Sequence, residues 1–388
     1  MTLHWKTAAL GHVALVIAGQ SPDGSSYNTS GKGLPFYQGK KEFQERFIGA
    51  PTTWTTNPTK LAVAGDILMS VRAPVGPINL ATQQCCIGRG LAAIRNMNGL
   101  NRDFLYYYLL SKQEEICGIA GAIFPSISKT DIEKIPLAYP PEAEQRRIVG
   151  ILDKAFAAIA TAKANTERNL QNVRALFENN LNSIFARSWA TCQLVKLADL
   201  ATDITDGDHL PPPKSAEGVP FITIGNIDKE TKKIDFSDTF MVPRSYFEGL
   251  KPNRRPQKGD VLYTVTGSFG IPVLVDNGTE FCFQRHIGLV RPKPETMSRW
   301  LYYLLLSPQV SEQADEGATG AAQRTVSLQL LRNFSVPRVE PSHQSSEVAR
   351  LDETSRETER LEGCYRSKLN ALGELKRSLL QRAFAGNL

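Results

Sequence analysis

A chain of 388 residues exceeds one ordinary domain, which holds roughly 100–200 residues, so two or three structural units are expected. Hydrophobic residues at 41% and charged residues at 22% match the soluble globular average and exclude disordered, collagen-like and disulfide-scaffold classes. The net charge of +6 is mild: residues 1–141 hold 13 Lys and Arg against 9 Asp and Glu, and residues 188–341 hold 17 against 18. A nucleic-acid footprint must therefore come from clusters such as Lys40, Lys41 and Arg46, or Arg244, Lys251, Arg254, Arg255 and Lys258.

The apolar segment Ala8 to Ala18 contains His12 and is shorter than the ~18–20 residues of a membrane span, so no membrane is expected. A similar segment recurs mid-chain at Leu197 to His209, and both read as folded structure rather than a signal peptide. Up to about residue 140, Gly and Pro punctuate short β-branched runs such as Ile67 to Val71, a strand pattern introduced by Gly65-Asp66. The tyrosine-rich tract Phe104 to Leu110 is long enough for a helix buried on a sheet; stacking on unpaired bases is the sharper alternative.

Pro140-Pro141 then sets the start of a different kind of segment. From Glu142 to Ala186 there is no proline, and apolar or small residues recur at Ile148, Leu152, Ala155, Ile159, Ala162, Thr166, Leu170, Val173, Phe177, Leu181 and Ile184. Steps of four and three make a coiled-coil seam. A second seam runs through Val348, Leu351, Ser355, Thr358, Leu361, Tyr365, Leu369, Leu372, Leu375, Leu379 and Ala383, with Ser342 or Ser345 as its N-cap. Each helix of ~44 residues spans ~66 Å, and the two are expected to pair with each other.

The chain repeats itself. GDILMSVRAPVG from residue 65 aligns with GDVLYTVTGSFG from 259, an offset of 194; CCIGRGLAAI from 85 aligns with FCFQRHIGLV from 281, an offset of 196 that pairs Arg89 with Arg285. Beyond Pro140 the offset is 199, pairing Leu152 with Leu351, Leu170 with Leu369 and Phe185 with Phe384. The order of features is the same in both halves, which marks a tandem duplication. Its expected parts are α/β regions at 1–141 and 188–341, each followed by a helical region, at 142–187 and 342–388.

No catalytic constellation is present. There is no phosphate-cradling loop, Gly31-Lys32 being followed by glycine, and no methyltransferase motif, Leu210-Pro211-Pro212-Pro213 being only superficially similar. His4, His12, His209, His286 and His343 are scattered, and Asp208 with Glu230 and Lys232 reads as a solvated charged turn. Cys85, Cys86, Cys117, Cys192, Cys282 and Cys364 lack metal-ligand spacing and read as reduced thiols of a cytosolic protein. Neither a cofactor nor a metal is expected.

PPEAEQRRIVGILD at 140–153, ELKRSLLQRAFAGNL at 374–388 and GDILMSVRAPVG followed by IGRGL at 87–91 together resemble the specificity (S) subunit of type I restriction-modification systems, over essentially the full chain. The resemblance implies an α+β fold with two tandem mixed α/β target recognition domains joined by two long antiparallel coiled-coil helices. It implies a non-catalytic DNA-binding subunit, docked to two modification (methyltransferase) and two restriction (motor and nuclease) subunits that perform all chemistry on double-stranded DNA with a bipartite target. The second helical region departs from the pattern, lacking the Glu144-Gln145-Arg146 triplet.

Base edges and phosphates call for Arg, Lys, Asn, Gln, Ser, Thr or His on loops. In the first region these are Gln20, Ser21, Tyr27, Asn28, Tyr37, Gln38, Lys40, Lys41, Arg72 and Arg89; in the second, His209, Lys214, Asn226, Arg244, Arg254, Arg255, Ser268, Arg285, His286, Gln323 and Arg324. Arg89 and Arg285 suit either a shared phosphate contact or a shared internal ion pair. Partner or coiled-coil contacts are expected at Glu144, Gln145, Arg146, Leu152, Leu170, Leu181, Leu351, Leu369, Leu379 and Phe384. The alternative is a protein-binding adaptor, kept open by the near-neutral second region.

Overall fold

The computed structural model describes residues 5–97, 99–119, 126–321 and 323–388; His4 and the Cys117 side chain lie outside the described residues. The chain forms two compact units, Met1–Glu167 with Arg366–Leu388, and Arg168–Tyr365. The first long helix, Glu142–Thr191, gives its first half to unit one and its second half to unit two; the second long helix, Pro341–Phe384, does the reverse.

Unit one begins strand, short helix, strand over Lys6–Ala9, Leu10–Val13 and Ala14–Ala18. The last strand edges an antiparallel sheet whose order is Ala14–Ala18, Leu91–Asn96, Ile67–Ser70, Ile78–Leu80. Side chains alternate across this sheet, and both faces are covered. Ile67, Met69, Ala92 and Ile94 face one core, while Leu68, Leu91 and Ala93 face another. This explains why the strands read as continuous apolar runs.

The helix Arg102–Ser111 lies in the first core with Phe104, Leu105, Tyr106, Tyr107, Tyr108 and Leu109 all buried. Its hydroxyls are satisfied internally: Tyr106 donates to Glu45 O (3.3 Å), Tyr107 to Asp153 Oδ1 (2.5 Å) and Tyr108 to Pro136 O (2.6 Å). These tyrosines are core residues with polar tips, not platforms for bases. Beyond the second core lies a sheet of short strands in which Leu34–Tyr37 runs parallel to Cys85–Ile87.

Unit two repeats the plan. Leu194–Lys196, Leu197–Leu200 and Ala201–Asp206 again run strand, helix, strand. The sheet order is Ala201–Asp206, Ile287–Pro292, Val261–Thr264, Pro272–Leu274, again antiparallel, and Ser298–Leu306 is the buried aromatic helix.

The duplication extends to single hydrogen bonds. Asp66, 2% exposed, accepts Arg95 Nε and Nη2 at 2.8 and 2.7 Å and the Val63 amide at 2.8 Å. Asp260, also 2% exposed, accepts Arg291 Nε and Nη2 at 2.9 and 2.8 Å and the Gln257 amide at 2.8 Å. A shared internal ion pair therefore exists, and it is this bidentate pair rather than one made by Arg89 or Arg285.

Within each unit the two helix stretches run antiparallel. In unit one Arg147 Nη2 donates to Leu388 O (2.6 Å) and Lys376 Nζ lies 5.1 Å from the Phe156 ring; in unit two Arg174 bonds Glu362 (3.0 Å) and Asn180 bonds Thr354 (3.0 Å). Every residue of the first seam is buried or half-buried. The second seam needs one correction: Leu375 is 47% exposed, and the stem of Lys376 takes its place. After Leu372 the buried face steps by four to Lys376, then to Leu379 and Leu380, so the step of three to Leu375 points outward. The second long helix also starts at Pro341, with Glu340 O accepting the amides of His343 and Gln344, so neither Ser342 nor Ser345 caps it.

Among the described residues Cys85, Cys86, Cys192, Cys282 and Cys364 are free thiols, and no group of three or more side chains could hold a metal ion. Burial pushes the Cys85 and Cys282 thiols up to about 12, which keeps them protonated. No described helix is long and apolar enough to cross a membrane.

Candidate nucleic-acid interface

Each unit fastens its α/β part to its long helix at two points. Buried Gln145 accepts the Asn101 amide on Oε1 (2.7 Å) and donates from Nε2 to Gly99 O (3.1 Å) and Pro140 O (2.9 Å). Gln344 repeats this with the Met297 amide (2.8 Å), Glu295 O (3.1 Å) and Val339 O (2.7 Å). Gln145 is thus an internal joint and not a partner contact, which corrects one expectation. The second helix lacks the flanking Glu and Arg of the triplet but keeps its glutamine.

The second fastening is a Tyr–Asp–Arg cluster. Tyr107 and Arg46 both reach Asp153, Arg46 at 2.7 Å, and Arg46 also holds Asp103 at 2.9 Å. In unit two Tyr303 donates to Asp352 (2.7 Å), and the arginine is Arg299, which stands where unit one has Asp103. Burial, then the hydrogen bond to Asp153, raises the Tyr107 hydroxyl above its ordinary range, so it remains a donor. Tyr303 shifts the same way for the same causes. Tyr107→Phe or Tyr303→Phe is expected to cost about 1 kcal/mol each, less than a fully buried charged bond because both aspartates meet water. Urea midpoints check this; no change in either would mean the cluster does not fasten the helix.

The edge of the sheet in each unit carries the candidate readers. In unit one the turn Gly88-Arg89-Gly90 is held by Gly88 N–H to Tyr37 O (2.8 Å) and Gly90 N–H to Gln38 O (3.1 Å), which pushes Arg89 outward. In unit two Gln284 N–H bonds Ile222 O (2.9 Å) and Arg285 N–H bonds Asp208 O (3.0 Å). A neighbouring chain crosses each turn so closely that a Cβ on Gly19 or Gly207 would run into the carbonyl of Gly88 or Phe283. Arg89 and Arg285 are exposed, and neither side chain has a hydrogen-bond or ion-pair partner among the described residues.

Arg89 stands between two hollows of unit one, of about 530 and 610 Å³. The first is lined by Arg72, Ser126, Ser128 and Lys129, the second by Ser21, Tyr27, Gln38 and Lys41. Ser21 donates to Gln38 Oε1 (3.0 Å), while exposed Gln20 and Lys40 lie nearby in sequence. Tyr27 stacks on Phe36 (4.8 Å), and Asn28 closes its own loop through Lys32 O and N–H. Tyr37 must be withdrawn as a reader: it is 1% exposed and donates to Gly49 O (3.0 Å).

In unit two a hollow of about 390 Å³ brings together His209, Arg285, His286 and Gln323 with Thr266, Thr325 and Ser327. His209 is held by Asp206 at 2.8 Å. Burial, then the Arg285 charge, lowers the His286 pKa, which favours neutral imidazole. Exposed Lys214 lies 5.0 Å from the Phe240 ring, and half-buried Ser268 accepts Thr264 Oγ1 on its backbone carbonyl.

Other candidates are structural. Asn226 is buried, accepting the Thr223 amide (2.9 Å) and donating to Asp238 O (2.8 Å). Arg254 bonds Gly207 O (2.7 Å) and Asp206, Arg255 bonds Leu250 O and Glu248 O, and Arg244 pairs with Glu280 (2.7 Å). Arg324 bonds Asp315 and covers Phe269. Arg244, Arg254 and Arg255 of the basic cluster at 244–258 therefore serve the fold of their own unit, while Lys251 and Lys258 are exposed.

Of the helix residues, Arg146 is exposed beside Glu142 (2.5 Å) and Glu144 is held by Arg147 (2.7 Å). Leu152, Leu181 and Leu351 are core residues, and Phe384 packs on Phe104 and Tyr108 with rings 5.3 Å apart. Leu170, Leu369 and Leu379 are half-buried. Sequence reasoning missed Ser126, Ser128, Lys129, Thr325 and Ser327, which the antiparallel bridges Arg72–Ser126 and Thr266–Thr325 bring beside the arginine turns.

A family described as the type I restriction modification DNA specificity domain matches residues 3–171. The match covers rather less than half of the chain. The chain is similar to type I specificity subunits beyond it. It is 39% identical over 182 residues to the protein assigned as the MjaX type I restriction enzyme specificity subunit of Methanocaldococcus jannaschii, 46% of this chain and 42% of that one. It is 20% identical over 315 residues to the EcoBI specificity subunit of Escherichia coli, covering 74% of this chain and 66% of the relative. The matches thus span less than two thirds of these relatives' own lengths.

The whole chain has the fold of the HsdS subunit from Thermoanaerobacter tengcongensis, with a TM-score of 0.60 at 19% identity over 99% of this chain and 97% of that one. A chain from a study of complex assembly and conformational transition of the type I R-M system gives 0.80 at 20% identity over 99% and 98%. The specificity-domain match covers the first copy, and the hydrogen-bonded frame just described recurs in the second.

Proposed function

We propose that this chain is the DNA-recognition subunit of a type I restriction-modification system. Each unit reads one half of a bipartite double-stranded target, and the long helices carry two modification and two restriction subunits, which supply all catalysis. The chain itself is not an enzyme in this reading, and it works in the cytoplasm. Recognition domains at 1–141 and 188–341 alternate with helical regions at 142–187 and 342–388.

One observation carries the reading: each unit holds an exposed arginine, Arg89 or Arg285, with no side-chain partner among the described residues, on an equivalent turn that lines a hollow. An exposed guanidinium presents a charged, forked set of donors that suits an anion. Kinship with specificity subunits supports DNA as that polyanion.

Fluorescence anisotropy of the full chain with random duplex across a salt series tests it. Two phosphate contacts alone predict roughly tenfold weaker binding between 50 and 200 mM salt, and further contacts steepen the loss. A flat response would favour a protein-binding adaptor, the reading that the near-neutral second region supports.

A further inference from the structure

The two hollows share one backbone frame and differ in a few side chains. In unit one Val71 N–H donates to Gly90 O (3.0 Å), and Val71 O accepts the Ile127 amide (3.1 Å). In unit two Val265 N–H donates to His286 O (2.9 Å), and Val265 O accepts the Val326 amide (2.8 Å). Arg72 bridges Ser126 through the backbone just as Thr266 bridges Thr325.

On this common frame Arg89 and Arg285 agree in identity, in exposure and in having no side-chain partner among the described residues. Several positions do not agree, among them these three. Arg72 stands where unit two has Thr266, Gly90 where it has His286, and Lys129 where it has Leu328. Lys129 is already paired with Glu133 at 3.4 Å, and Thr266 is buried with its hydroxyl accepting from Thr325 (3.4 Å). Arg72, exposed and without a side-chain partner among the described residues, and His286 are then the divergent groups on the frame itself that are able to reach outward, while His209 and Gln323 also line the unit-two hollow.

Phosphates present the same anion whatever the sequence, whereas base edges change with it. A side chain kept in both copies therefore suits the backbone, and side chains that differ suit two different half-targets. We propose that Arg89 and Arg285 clamp phosphates, while Arg72 in unit one and His286 in unit two select bases in the major groove. Arg72 carries the planar fork that fits guanine O6 and N7, and His286 offers a single hydrogen bond to a base edge. This division rests on reading the hollows as DNA faces.

The test uses the full-length chain, a randomised duplex pool with sequencing of the bound fraction, and a salt series on a retained duplex. Arg72→Thr and Arg72→Lys are each expected to lose roughly 5- to 150-fold of base preference at one position in one half-target, leaving the other half intact. His286→Ala should do the same in the opposite half. Arg89→Ala and Arg285→Ala should keep both consensus halves, weaken all sequences alike and lower the salt slope by about one each. Thermal unfolding midpoints equal to the parent's show that each variant is folded.

A uniform loss with an unchanged consensus for the Arg72 variants, or an altered consensus for Arg89→Ala, overturns the division while leaving DNA recognition standing. No consensus and no salt dependence with the parent chain would remove both.

Discussion

Arg291→Leu is expected to destabilise unit two by about 3–5 kcal/mol, the largest single effect among the polar residues. Asp260 is 2% exposed and Arg291 supplies two of its three described hydrogen bonds, so the substitution strands a buried carboxylate in a low dielectric. Adding Asp260→Asn should recover part of the loss, because the amide oxygen still accepts the Gln257 amide and no charge remains uncompensated. The equivalent Arg95→Leu in unit one should cost less: Arg95 is 37% exposed against 18% for Arg291, so water more readily replaces it at Asp66. Hydrogen exchange locates each effect, with protection falling at Val261–Thr264 for the first variant and at Ile67–Ser70 for the second. A loss below about 0.5 kcal/mol in both would show that the pairs are dispensable.

Leu351→Ala and Leu152→Ala should each cost about 2–5 kcal/mol, through lost burial plus the cavity left behind. Both leucines are 0% exposed and sit in the cores that join a long helix to its own α/β part. Leu170→Ala and Leu369→Ala, at half-buried seam positions, should cost about 1 kcal/mol or less. The contrast locates the anchorage of the helices. It lies at Ile148, Leu152, Leu380 and Ala383 in unit one and at Leu181, Ile184, Phe185, Val348 and Leu351 in unit two, where aromatic cores receive them. Denaturant midpoints for the four variants check this order, and equal costs at all four sites would refute it.

The repeat, the strand runs after Gly65-Asp66 and Gly259-Asp260, and both long helices were legible because each is a local pattern carried by adjacent residues. Partnerships across the fold were not. Asp66 and Arg95 lie on neighbouring strands 29 residues apart, and nothing in the spacing joins them before the register is known. Gln344 escaped notice because its neighbours changed while its three backbone partners did not. Leu375 and Lys376 exchanged places through a one-residue shift of helical phase, which composition hides because a lysine stem can cover apolar surface.

At the candidate interface, residue type singled out Arg89 and Arg285, which the fold leaves exposed. It could not separate them from Arg244, Arg254, Arg255 and Arg324, whose carboxylate and carbonyl partners arrive from distant segments. Tyr37 and Asn226 were polar enough to suggest a groove, yet each satisfies its side chain inside its own unit.

The glutamine joint bears on how such a chain can change its address. Every atom that Gln145 or Gln344 grips on the α/β side is main chain: an amide before the aromatic helix, a carbonyl two residues earlier and a carbonyl at the end of the last strand. This joint is blind to which side chains the α/β part carries. At this joint a foreign domain that presents the same three backbone groups would need no compensating substitution in the resident helix, whereas the Tyr–Asp–Arg cluster and the aromatic core would still have to match. The joint itself therefore places no filter on the sequence of the part it holds, and whatever selection acts on an exchanged half falls on the side-chain contacts.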